Sequence, residues 1–187
     1  MSMQIRTKAA ALASIAALAL PAASVGQAAA EDANGAAPEV HLRLQPSSPA
    51  LAHCFPHAWA EVDVHLTTDA IGKDRFTIEA KGLRPRTDFT VFLLEQAGSP
   101  FGAAEYIGDF TTDAHGRGAN RFDLIVEEAF AFNNVTHART DLNSVGVWFA
   151  DEKDDDECLG VHSPVTGFDG DGAAGVQMLN SRAAKLP

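Results

Sequence analysis

Two groups of side chains in this 187-residue chain have the types and spacing for metal chemistry. His53-Cys54-Phe55-Pro56-His57, with His65 further along, gathers imidazole and thiolate donors. Such donors suit copper or zinc, which makes His53 and His57 the candidate ligands for either ion. The second group is the run Asp151-Glu152-Lys153-Asp154-Asp155-Asp156-Glu157, followed by Asp169-Gly170-Asp171-Gly172. Carboxylate oxygens on loops, with glycine allowing tight turns, are what Ca2+ requires, so Asp154, Asp155, Asp156, Asp169 and Asp171 form a candidate calcium set. The D-x-D-x-D-G spacing that closes on a Glu at position twelve is missing, which excludes an EF-hand. Both groups also have a plainer reading. Scattered histidines decorate loops and a solvent face, and an acidic run makes a solvated loop. The plainer reading, with no cofactor, is preferred, and calcium or copper/zinc stands as its alternative.

Covalent catalysis finds no foothold. There is no G-x-S-x-G elbow, and no pair among the 25 acidic residues can be singled out for glycoside chemistry without a cleft. No catalytic residue is assigned, and the reading leans away from an enzyme. Asn134-Val135-Thr136 matches a glycosylation sequon, a three-residue pattern that is common by chance. The only cysteines are Cys54 and Cys158. In an exported protein they are expected to bond, and closing a loop of this length stabilises a fold by roughly 4 to 5 kcal/mol in the chain-entropy model.

Export is the expectation because Arg6 and Lys8 precede an uncharged Ala- and Leu-rich stretch, Ala9 to Leu20, which Pro21 ends. Small residues from Gln27 to Ala30 place signal-peptide cleavage just before Glu31. The apolar stretch is shorter than the ~20 residues that span a bilayer, and no later segment looks like a span. Residues 1–30 are thus read as signal peptide, 31–38 as a flexible leader and 39–187 as one β-sandwich domain. Removing 30 of 187 residues takes two of the 14 basic side chains and none of the 25 acidic ones, so the formal charge goes from −11 to −13. A surface of that sign repels phosphate backbones and anionic lipid, which excludes nucleic acid and membrane insertion after cleavage as expected partners. A secreted or periplasmic location follows. No lipidation signal is seen.

The elements that must position these residues read as strands. Val40, Leu42 and Leu44 alternate with His41 and Arg43, and the same period recurs over Ala60 to Leu66 and Phe76 to Ala80, which form a hairpin with one wet face. Phe89 to Leu94 is apolar almost throughout, so it is expected to be a central strand buried on both sides. Tyr106 to Thr111 and Ala119 to Val126 flank a turn at Asp113 to Gly116, Val145 to Phe149 makes a further strand, and Gly175 to Leu179 a short last one. The best helical candidate is a turn or two over Glu127 to Phe132. About eight short strands with Gly-rich turns predict an all-β, Greek-key β-sandwich, immunoglobulin-like or superoxide dismutase-like.

Two local likenesses favour that architecture. Gly82-Leu83-Arg84-Pro85-Arg86-Thr87-Asp88-Phe89-Thr90-Val91 resembles the G-L-x-P-x-T-x-Y-x-V corner of fibronectin type III domains, where the chain passes between sheets. Phe89 stands at the tyrosine of that pattern, so the corner's hydroxyl hydrogen bond is lost. The same Gly82 to Pro85, with Gly108-Asp109-Phe110, Asp113, Gly116 and Ala174-Gly175-Val176, resembles landmarks of copper–zinc superoxide dismutases. That resemblance implies a Greek-key scaffold without the dismutase site, because the copper-binding H-x-H pair falls on Val91 and Leu93. The function expected from all of this is an exported, non-catalytic binding or interaction module for an unknown protein or small molecule. The alternative is a metal-binding secreted protein or small enzyme.

Overall fold

The computed structural model describes residues 37–169 and 172–187; the stretch read from sequence as a signal peptide, the expected leader up to residue 36 and Asp171 lie outside them. Eight strands form one antiparallel sheet that nearly closes into a barrel: β1 (Glu39–Pro46), β2 (Trp59–His65), β3 (Asp74–Lys81), β4 (Asp88–Leu94), β5 (Ala104–Thr111), β6 (Gly118–Leu124), β9 (Ser144–Phe149) and β12 (Gln177–Asn180). Two hairpins stand apart, β7 (Phe130–Asn133) with β8 (Ala138–Asp141) and β10 (Thr166–Asp169) with β11 (Gly172–Ala174). Short helices α1 (Pro49–Cys54), α2 (Thr68–Ile71) and α3 (Asp156–Leu159) fill connections.

The sheet order is β5-β4-β9-β12-β1-β2-β3-β6. β1, β2 and β3 form a meander, and the chain then crosses through Gly82–Thr87 to start β4 on the far side of the barrel. β6 returns to lie beside β3, which is a Greek key. An immunoglobulin sandwich instead places its fifth strand between its second and fourth. At the near-closure, the Asn120 side chain of β6 donates to the Asp109 carbonyl of β5 at 2.5 Å. The two strands can approach there because Gly118 lies under the Phe110 ring, where a Cβ would sit 2.5 Å from a ring carbon.

Alternation fills the barrel. Leu42 and Leu44, Val62 and Val64, Phe76 and Ile78, Phe89, Val91 and Leu93, and Val145, Val147 and Phe149 all face inward and are buried. Val91 and Leu93, the positions that would carry an H-x-H pair, are core side chains with no exposed surface. Phe89 replaces the lost tyrosine hydroxyl with ring packing, centroids 5.4 Å from Phe110 and 5.1 Å from Phe149. Asp74 pins the opposite end of the barrel: its carboxylate accepts from the backbone N–H of Thr67, Thr68 and Val126 at 2.7 to 2.8 Å. Burial pushes this carboxyl up, but those hydrogen bonds outweigh it and hold the group below the ordinary aspartate value.

One expected element is corrected. The stretch Glu127 to Phe132 is not helical; its second half is β7, paired with β8 in register from Phe130 opposite Asp141 to Asn133 opposite Ala138. Asn133 explains the turn, since its side chain accepts from the N–H of Val135 and Thr136 and favours a loop over a continuing helix. The last barrel strand begins at Gln177, two residues after the expected start.

Candidate functional site

The two outer faces of the barrel differ. On β4 and β9 outward residues are buried as well, and Phe92, Leu94 and Trp148, with Ala174 of β11, form a second buried cluster against which Phe101 packs. Phe92 and Phe101 both meet the Trp148 ring edge-on, at centroid distances of 5.3 and 5.0 Å. Gly146 makes this possible. A Cβ there would fall 2.4 Å from the Trp148 ring and 2.7 Å from the Gln177 amide nitrogen.

Beside this cluster lies a groove of about 430 Å³. One wall is α1 and the start of its loop, with Ser47, Ser48 and Leu51; another is Gly98, Ser99 and Phe101; a third is Leu159, Pro164, Thr166 and Val176. Trp148, Gln177 and Asn180 contribute from the sheet. Local chemistry fixes each wall. Ser48 caps α1, accepting from the Leu51 N–H, and Pro49 occupies the first turn where its missing N–H costs nothing. The cap turns Leu51 inward, where it is 1% exposed. Gln177 and Asn180 are each 6% exposed. The Asn180 amide donates to Gln177 Oε1 at 2.9 Å, Gln177 Nε2 donates to the Ala97 carbonyl at 2.9 Å, and Asn180 Oδ1 accepts from the Arg182 N–H. The two amides are therefore held in fixed orientations.

The cysteine pair sits behind the groove. Cys54 at the end of α1 and Cys158 in α3 are at disulfide distance, with Cα atoms 5.9 Å apart, and so tie the Leu51 wall to the Leu159 wall. Asp155 reinforces the same junction. It is fully buried, accepts from the Ser163 hydroxyl and from the Val176 N–H at 2.8 Å, and lies against Gly175.

The sequence-derived candidates are dispersed. His53 is on α1 and His57 in the loop before β2, both exposed, while His65 lies at the far end of β2, a strand about 20 Å long at the usual rise. Asp154 is held by Arg84, whose Nη1 donates to its Oδ1 at 2.8 Å and to its carbonyl at 2.6 Å. Burial and the neighbouring Asp151, Asp88 and Asp155 nevertheless push the Asp154 carboxyl above the ordinary value, against the pull of Arg84. Asp155 points into the protein and Asp156 opens α3. Asp171 is outside the described residues, and the described part of Asp169 is its place in β10. Among the described residues, no three His, Cys, Asp or Glu side chains are grouped to hold a metal ion.

The groove residues Phe101, Trp148, Gln177 and Asn180 were not among those candidates. One signal for them existed: a strand apolar on both faces, Phe89 to Leu94, needs a cover on its outer side, and the cover brings the groove with it. No helix among the described residues is long and apolar enough to cross a membrane. No protein-family model matches the chain, and no curated protein matches it.

Proposed function

We propose that the chain is an exported, non-catalytic binding module that holds a small molecule in the groove between α1, the 98–101 segment and β12. The groove is the observation that carries this reading. Its volume falls within the range of small-molecule sites, its walls are mainly apolar, and a few convergent polar groups on rigid supports line it. The supports are a strand, a capped helix and a cysteine pair at bonding distance, so the cavity is formed before a ligand arrives. Export is supported by the basic start and apolar run of residues 6–20 and by that cysteine pair, which suits an oxidising periplasm or extracellular space.

Two measurements test the two halves of this reading. N-terminal sequencing of the protein recovered from periplasm or medium is expected to begin at or near Glu31; full-length chain confined to the cytoplasm overturns export. A thermal-shift screen of small molecules, with each hit mapped by amide chemical shifts, is expected to move Phe101, Trp148 and Val176. Hits that map instead to the outer face of β1, β2 and β3 overturn the groove as the site.

A further inference from the structure

From the polar groups of the groove we infer its ligand class: a neutral molecule with an apolar body and a carbonyl oxygen, the carbonyl accepting from the side-chain amides of Gln177 and Asn180. This rests on the groove being a binding site. Each amide NH2 carries two hydrogens. One hydrogen of Gln177 goes to the Ala97 carbonyl and one of Asn180 goes to Gln177 Oε1, while both amide oxygens already accept. Among the described residues this leaves one donor on each side chain, and both side chains are more than nine-tenths buried. A buried donor without a partner is costly, and a site built that way discriminates strongly in favour of ligands that satisfy it.

The surroundings decide the charge of the ligand. No described residue lining the groove is Asp, Glu, Lys, Arg or His, although such side chains are common elsewhere on the surface. Bringing an ion into this groove would strip its water without supplying a counter-charge, which disfavours carboxylates and ammonium compounds alike. Leu51, Phe101, Leu159, Pro164 and Val176 offer apolar area to the rest of the molecule. A ketone, ester, lactone or tertiary amide on an aromatic or aliphatic body meets both demands.

A matched set of three probes tests this on the mature domain: 4-phenylbutan-2-one, 4-phenylbutanoate and 4-phenylbutan-1-amine, which share the phenylalkyl body and differ in the head group. Ligand-observed NMR titration is expected to give the ketone a dissociation constant at least about tenfold lower than either ion, the scale of one hydrogen bond together with avoided desolvation. In the wild-type protein the ketone should also shift the side-chain NH2 resonances of Gln177 and Asn180. Gln177→Met, which keeps length and removes the donor, should weaken ketone binding about five- to tenfold. The NH2 shifts need no variant, so a poorly folded Gln177→Met does not blunt the test. Equal or tighter binding of the carboxylate or the amine in the groove overturns the ligand class and leaves the groove a binding site. Ketone binding that leaves both NH2 signals unmoved overturns the role of the amides, and failure of all three probes overturns the class. Whether the groove binds at all is decided separately by the screen above.

Discussion

The barrel carries two tryptophans on its outer surface, and their surroundings differ. Trp148 on β9 has no exposed surface and is enclosed by Phe92 and Phe101. Trp59 on β2 is half-buried beneath the Arg43 guanidinium and the Lys81 ammonium, 4.4 and 4.8 Å from its ring centroid. Around it the outer face of β1, β2 and β3 is a ladder of charges: His41 opposite Asp63, Arg43 opposite Glu61 and Glu39 opposite His65. One side of the sheet is thus solvated, while the other is roofed by loops and holds a groove. A sheet that packs one face into a core can present either kind of surface on the other, and what is laid over it decides which.

Removing each tryptophan is the largest test of that contrast. Trp148→Ala empties a space among buried rings and is expected to destabilise the fold by about 4 kcal/mol. Trp59→Ala loses partial burial and two exposed cation–π contacts, about 1 kcal/mol. Urea unfolding of both variants measures the difference. Equal losses would mean that the covered face is not packed as a second core.

Asp155 tests how the roof is attached. Asp155→Ala should cost about 2 kcal/mol, because it takes the acceptor away from both the Ser163 hydroxyl and the Val176 N–H. Native-state hydrogen exchange locates the effect: protection at Val176 should fall, while the amides of β2 and β3 keep theirs. Uniform loss across both faces would show that the roof and the barrel unfold as one unit.

The same contrast governs how much was legible in the sequence. Strands β1, β2 and β3 alternate cleanly because one side meets water, and their positions were readable from period alone. β4 was readable as doubly buried because Phe89 to Leu94 never alternates. What lay over it was not readable. The groove joins Leu51, Phe101, Trp148 and Gln177, which are far apart in sequence and of types that ordinarily fill cores or loops. Helix α1 escaped notice because its six residues are too few for a periodic signal, although Ser48 and Pro49 mark its start. The β7–β8 hairpin is not legible because Phe130 and Phe132 follow Glu127 and Glu128 in an order that resembles a short amphipathic turn, and the Asn133 turn that makes it a hairpin is a local hydrogen-bonding effect. Residue type and proximity along the chain are all that single out the metal candidates. The length of β2 sets His65 apart from His53 and His57, and Asp155 turns inward.

The smallest expected effect lies on the solvated face. Asp63 Oδ1 hydrogen-bonds His41 Nδ1 at 2.5 Å, and that bond, with the charges of Glu39 and Glu61, raises the His41 imidazole above its ordinary value of 6.5 against a slight loss of hydration. A histidine raised on folding stabilises the folded state fully at pH below its unfolded value, and the contribution fades as pH climbs through the folded one. The melting temperature of His41→Asn should therefore fall below that of wild type at pH 5.5, and the two should converge by pH 9. Because the imidazole is solvated, salt should shrink even this difference. NMR titration of the His41 ring is the more direct measurement: its midpoint should lie above 6.5 and return toward that value in Asp63→Asn. A midpoint unchanged by Asp63→Asn would mean that the face is an array of independent charges, with no cross-strand pairing to set beside the amide pair on the covered side.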